Sequence, residues 1–320
     1  MTTIGYHCSH EQFSPRELLR YVQQAEKAGF EAAMCSDHFR PWNHAQGHSG
    51  YSFSWLGAAL EATSLPMGLV CAPGYRHHPA VVAQAVATLA EMYPHRVWAS
   101  FGSGQALNES VTGETWPAKE ERNQRLRECA DVIRALWEGE RVTHRGHVDV
   151  VDAVLYTRPD TAPPLYAAAL TPETAKWAAK WADGLITIAH PLDELEEVVD
   201  AFRNNGGGDK PVLLQMQLSF ASSDEEALEN AHQQWGTNIF GSDVLTQLPS
   251  PDHFEAAAEF VEPDDMRGPV RVSADLDRHT EWIQTHIDIG FDTIFLHNVG
   301  KNQRQFLSAF GEEVLPNLES

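Results

Sequence analysis

The sequence predicts a single (β/α)8 barrel, and three observations carry that expectation. The chain has 320 residues with 42% hydrophobic content, enough for one large core. Eight short apolar runs alternate with amphipathic stretches of helical period. The turn after the first run, GYHCSH, is not the Gly-rich turn that an open doubly wound sheet usually carries there. The expected domain therefore spans residues 1–320. The run Gly206–Gly208 is too short to be a linker.

Strands are expected at Thr3–Cys8, Ala32–Ser36, Met67–Cys71, Val97–Gly102, Leu165–Ala169, Gly184–Ile188, Val212–Ser219 and Asp292–His297. Such nearly continuous apolar runs suit parallel strands buried on both faces. Ser14-Pro15-Arg16-Glu17 reads as a capping box with Pro at the first helical position, opening a helix to about residue 28. A second helix is expected over Glu120–Trp137, where apolar residues recur at helical spacing. Val142–Ala162 has the pattern of a small β-hairpin. Two insertions follow strand C-termini, Arg40–Trp55 after the second strand and Gln234–Arg271 after the seventh. Barrel enzymes build their active sites at that end.

The net charge of −22, with no basic stripe, argues against nucleic acid and anionic membrane partners. The N-terminal run MTTIGYHCSH has neither a basic n-region nor an apolar h-region, and no apolar run reaches membrane-spanning length. Cys8, Cys35, Cys71 and Cys129 are scattered without a CxxC, as in a reduced cytoplasmic protein.

Asp37 and His38 directly follow the second strand. A His at a strand mouth can give or take a proton near neutral pH, and Asp37 can bind a ring N–H. The competing reading is a buried His held by a carbonyl. Phe39, Trp42, Phe53 and Trp55 nearby can wall a planar ligand or simply pack a loop. Gly102-Ser103-Gly104 after the fourth strand lets backbone N–H groups approach a phosphate, or is an ordinary turn. Thr171 and Pro172 read as N-cap and first residue of a helix whose N–H groups can hold a phosphate, although Glu173 opposes a dianion. Cys71, before Ala72 and Pro73, shows no sign of a lowered thiol pKa, so a small buried residue is expected there. His7 and His10 sit on a strand end and should not converge, and His77 and His78 should point apart. No metal site is expected.

Taken together, IGYHCSHEQFSPREL, SDHFRPW, GHSGYSFSWLGAA, RHHPAVVAQAVATL, GSGQALNE, RLRECADVIRALWEGE and RQFLSAF resemble the luciferase-like superfamily of flavin-dependent barrels. The nearest branch is the F420-dependent glucose-6-phosphate dehydrogenase group. The resemblance covers nearly the whole chain. It implies a flavin- or deazaflavin-dependent hydride transfer or monooxygenation of a small molecule, and a homodimer.

By the same resemblance, Asp37 contacts the cofactor ring and His38 supplies an acid or base, with Trp42 and Glu11 beside it. Ser103, Gly104, Asn108, Leu170, Thr171, Glu173 and Thr174 hold the cofactor tail. A non-prolyl cis peptide at Val70–Cys71 or Cys71–Ala72, just before Pro73, props the ring. The chain departs from the dehydrogenases in three places. Gln105 replaces a Glu in their catalytic set, Leu170-Thr171 replaces Gly-Gly, and Pro191 replaces a phosphate-binding Lys, with no clear basic substitute near Arg267. Glucose 6-phosphate is therefore not expected as substrate. SHEQF, MCSDHF and ALTPETAKW resemble a subgroup that uses FMN in place of coenzyme F420, so FMN is the expected cofactor. The rival readings are a metal-dependent barrel hydrolase and a catalytically silent flavin-binding barrel.

Overall fold

A computed structural model of the chain describes residues 1–189 and 191–319. Its strands are β1 Thr3–Cys8, β2 Ala32–Ser36, β3 Met67–Cys71, β4 Val97–Phe101, β5 Val142–His144, β6 Val150–Ala153, β7 Leu165–Ala168, β8 Gly184–Ile188, β9 Val212–Ser219, β10 Arg271–Val272 and β11 Thr293–Asn298. Eight of these pair in parallel in the order β9-β11-β1-β2-β3-β4-β7-β8, and β8 closes back onto β9. This is a closed (β/α)8 barrel. Strand ends differ from the sequence reading by a residue where pairing fades. Gly102 N still donates to Cys71 O and Asp292 N to Val212 O, but each is the last bond of its ladder.

The helices are α1 Pro15–Ala28, α2 Ser52–Ala62, α3 Pro79–Met92, α4 Ala106–Glu109, α5 Lys119–Glu138, α6 Pro172–Ala178, α7 Leu192–Phe202, α8 Asp224–Trp235, α9 Ser242–Leu245, α10 Pro251–Ala257, α11 Leu276–Ile289 and α12 Gln303–Ala309. Helix α1 begins where its cap dictates. Ser14 Oγ accepts from Glu17 N, Pro15 takes the first turn, and Gly29 ends the helix in the left-handed region at φ 99°. The expected hairpin is β5 and β6, paired antiparallel. No described helix is long and apolar enough to cross a membrane.

Side chains alternate across each strand, so one set fills the lumen and the other meets the helices. Trp98, Phe295, Ile186, Leu213 and Met34 pack together in the lower lumen, with Tyr166 against them. Gly68 makes this possible, because a Cβ there would lie 2.0 Å from the Trp98 ring. Higher up the lumen turns polar. The ring of His7 stacks 4.3 Å from that of His297, and Gln215 approaches His297 at 3.4 Å. The apolar bottom holds the barrel; the polar top faces the site.

The two insertions lock together above the mouth. Arg40 donates to Pro249 O, His44 binds Glu255 through its backbone N–H at 2.8 Å, and Gln46 Nε2 donates to Gln234 O at 3.0 Å. Trp42, Leu107, Leu245 and Phe254 form a small apolar cluster inside this roof.

Candidate active site at the barrel mouth

Asp37 leaves β2 with its side chain fully buried. Ser52 Oγ donates to it at 2.6 Å, Arg76 Nη2 at 2.8 Å, and His77 Nε2 lies at 2.6 Å. Burial alone would raise the carboxyl's pKa. The His77 hydrogen bond and the Arg76 charge overcome that and hold it well below the usual carboxylate range. Arg76 also lies 3.6 Å from the buried Glu109, whose carboxyl burial pushes up. Asp37 is thus the hub of an ionic network that ties the loops after β2, β3 and β4 together.

Ser52, Arg76 and Glu109 were not singled out from sequence, and His77 was weighed there only as a metal ligand. The usable signal was Asp37 itself, since a carboxylate behind an apolar strand needs a cation. His77 and His78 do point apart. His77 turns to Asp37, while the exposed His78 caps α3 and reaches Asp149 O.

His38, one residue on, is placed differently. Its Nδ1 lies 3.5 Å from Glu11 Oε1, beyond a proper hydrogen bond, and has no partner among the described residues. The two side chains are only 10% and 5% exposed. Glu11 is itself oriented by Ser9 Oγ at 2.9 Å. Trp42 packs its ring 5.1 Å from the His38 ring and stands edge-on to Phe254. The structure therefore brings His38, Glu11 and Trp42 together under the roof.

His10 packs edge-on against Trp55, and His7 turns instead to His297. Burial lowers both His7 and His10, and brings His297 down to about 3. These rings enter the mouth as neutral polar groups. Among the described residues, the His, Asp and Glu atoms close enough to share an ion belong to His44, Asp252 and Glu255, all exposed on the roof.

The opposite wall comes from the ends of β3, β4 and β7. Val70 packs into the lumen, and Cys71 is buried, with its thiol pushed up by burial. No cis peptide occurs among the described residues, which corrects the expectation at Val70–Cys71 and Cys71–Ala72. Both bonds are trans, and Cys71 O continues the ladder by accepting from Gly102 N at 2.9 Å. Trans is the lower-energy form by about 2.5–4 kcal/mol for a non-prolyl bond.

Ala72 and Pro73 are buried beside Gly104. Gly104 adopts φ +84°, and a Cβ there would meet Trp116 at 3.0 Å and Ala72 at 3.3 Å, so the tight contact of the two loops requires glycine. Ser103 and Gln105 are half-buried next to it.

Asn108 is buried, and its Oδ1 accepts from Phe39 N at 2.9 Å, bracing the loop that carries His38. Leu170, Thr171 and Thr174 are half-buried, and Glu173 is exposed. Thr171 caps α6 as expected, accepting from Thr174 N, and its hydroxyl lies 2.9 Å from that of Thr174. One of these two hydroxyl protons stays unused, whichever group donates to the other.

The description luciferase-like monooxygenase matches residues 1–293. The chain is 37% identical, across 100% of its length and 98% of the relative, to an F420-dependent glucose-6-phosphate dehydrogenase of Beutenbergia cavernae. Its identity to a protein of the same name from Microbacterium testaceum is 36%, covering 98% and 97% of the two chains. It superposes with a TM-score of 0.91 and 30% identity on an F420-dependent secondary alcohol dehydrogenase holding an F420-acetone adduct, covering 100% and 99%. The FMN-bound oxygenating constituent of 3,6-diketocamphane monooxygenase from Pseudomonas putida matches with a TM-score of 0.74 and 17% identity, over 99% of each chain, a likeness of fold alone. Similarity of this extent, on a barrel whose polar mouth is built from the motifs that carry it, identifies the chain as a member of the luciferase-like monooxygenase family.

Proposed function

We propose that this chain is a hydride-transferring oxidoreductase that takes a flavin-type ring across its barrel mouth and acts on a small-molecule substrate. The observation that carries the reading is the His38–Glu11 pair, nearly buried, with His38 Nδ1 unpartnered among the described residues and 3.5 Å from a carboxylate. A buried imidazole left beside a carboxylate without a proper hydrogen bond carries a desolvation cost that calls for an explanation, and catalysis is one.

The mouth fits such a group. Ala72, Pro73, Ser103 and Gly104 would let a flat ring lie close to the backbone. Ser103, with the unused hydroxyl proton of Thr171 and Thr174, would hold its phosphate. When bound, the ring supplies a two-electron site that gives or takes a hydride. His38 handles the accompanying proton. Nδ1 faces Glu11, so Nε2 is the nitrogen left to the mouth, where it takes a proton from the substrate or returns it. Glu11 gives the ring an anionic neighbour while it carries that proton. Trp42 and Phe254 fix the imidazole and keep water from its flank.

The ring is that of FMN in this reading. Coenzyme F420 adds an anionic tail beyond the phosphate, and the cations around the mouth are already engaged. Arg76 serves Asp37, Arg40 serves Pro249 O, and Arg125 serves Gly74 O and Glu121. The chain carries −22 overall, and Glu173 stands exposed in the first turn of α6. The deazaflavin is the second reading, favoured by the higher TM-score of the F420-bound alcohol dehydrogenase. Expression in a host that makes both cofactors, followed by the absorbance spectrum and mass of whatever co-purifies, tests the reading. FMN supports it. F420 favours the second reading, and stoichiometric zinc without either would replace both with a hydrolase.

A further inference from the structure

Beyond the mouth, a cavity of about 350 Å³ opens between the start of α7 and the flank of α11, lined by Leu192, Arg267, Arg271, Arg278, Trp282 and His286. It lies on the outer side of the barrel wall. Arg271 on β10 is in register with Leu218 on β9, and parallel partners point the same way. Leu218 belongs to the core between strands and helices, whereas Gln215, of opposite parity on β9, meets His297 in the lumen. The arginine thus faces away from His38 and Glu11.

Three guanidinium groups line one pocket in a chain of net charge −22. Among the described residues, neither Arg271 nor Arg278 has a carboxylate within salt-bridge distance, and Arg267 alone is paired, with Asp264. Among the described residues, Arg271 donates only to Gly268 O, at 3.2 Å. Arg278 Cζ lies 5.0 Å from the centroid of the Trp282 ring, a cation–π contact.

The second observation is His286. It is 1% exposed, lines the cavity, and has no hydrogen-bond partner at Nε2 among the described residues. Its Nδ1 is committed as a donor to Trp282 O at 2.6 Å. Burial, with the Arg271 charge, holds the imidazole below its ordinary range, so Nε2 keeps its lone pair.

A ligand that satisfies Arg271, Arg278 and His286 must carry oxygens for the two guanidinium forks and one proton for Nε2. Hydrogen phosphate and the monoanion of a phosphate monoester have both. We infer that this cavity is a binding site for a phosphate group, separate from the catalytic mouth. Arg271 and Arg278 hold its oxygens, and His286 Nε2 accepts its P–O–H proton.

The test uses the enzyme loaded with whichever of FMN and F420 it binds, so that any phosphate subsite for the cofactor is filled. Inorganic phosphate and phenyl phosphate are titrated in separate calorimetric runs at fixed ionic strength, the first standing for the free anion and the second for an ester. Saturable binding of either, weakened about tenfold or more in both Arg271→Gln and Arg278→Gln, is expected. His286→Phe, which keeps the ring packing, should weaken binding too. Arg278 is exposed, so its variant reads the site even where Arg271→Gln fails to fold. Absence of saturable binding by both probes, or binding that Arg278→Gln leaves unchanged, overturns the site.

Discussion

His77 Nε2 lies 2.6 Å from Asp37 Oδ2, although the two residues are 40 positions apart. This contact, with Arg76 alongside, joins the loop after β3 to the one that carries His38. Asp37→Ala should therefore act on stability before it acts on chemistry. Removing one partner of a buried ion pair costs about 3–5 kcal/mol, because the remaining cation is stranded. Asp37 titrates below its unfolded value, so its contribution is present above the ordinary carboxylate range and fades as pH falls. Urea unfolding at neutral pH should show the full loss. The gap between variant and wild type should narrow below about pH 4. A gap that stays constant with pH would contradict the account.

His38 should behave in the opposite way. Among the described residues it has no hydrogen bond at Nδ1 to lose, so His38→Ala should fold and bind cofactor nearly as the wild type does. Its turnover should fall by about 10²–10⁴-fold, the usual worth of a general acid or base. Rapid-mixing measurement of cofactor oxidation or reduction with a turned-over substrate reads this directly. Unchanged turnover would remove His38 from the chemistry.

The barrel was legible in the sequence because its evidence is local. Each barrel strand from Thr3–Cys8 onward is a short, mostly apolar run, and Ser14-Pro15 carries a helix start within four residues. The site was legible only in part. His38 and Trp42 stand four residues apart, while Glu11, 27 residues before His38, was named through the family resemblance alone. The partners of Asp37 come from another loop, and nothing local in RHHP says which cation turns inward. The interlocking of Trp42 with Phe254 and of His44 with Glu255 joins two insertions about 200 residues apart. The cis peptide was expected from resemblance alone, and the bonds at Cys71 are trans.

Glu128 clips the β5–β6 hairpin to α5. His144 Nε2 lies 2.9 Å from one of its oxygens and His147 Nδ1 2.7 Å from the other. Burial opposes ionisation, but the hydrogen bonds from His144 and His147 win and bring the carboxyl from 4.5 down to about 2. Its stabilisation is therefore complete above about pH 4.5 and is lost as pH falls toward 2. Glu128→Gln should cost about 1 kcal/mol at neutral pH, after solvent screening. Its stability should then be flatter with pH across that window. Equal acid sensitivity in variant and wild type would refute the clip.

Glucose 6-phosphate should not be oxidised. Pro191 caps α7 where the family resemblance implies a phosphate-binding lysine in the dehydrogenases, and Arg267 is exposed and bound to Asp264 at 3.2 Å. Arg271 of the outer-wall cavity faces away from His38 and cannot substitute. Loss of a charge-assisted phosphate contact weakens binding by about 1.5–3 kcal/mol. Saturable dehydrogenation at micromolar sugar phosphate would contradict this.

The central claim, a flavin-type ring in the barrel mouth with FMN preferred, is tested most directly by titrating apo-protein with FMN and with coenzyme F420 at two salt concentrations, following cofactor fluorescence. The account predicts tighter binding of FMN at both, with the deficit of F420 greatest at low salt, where repulsion of its anionic tail is least screened. Tighter F420 binding at both concentrations would contradict the FMN assignment, and failure of both cofactors to bind would contradict the flavin mouth itself.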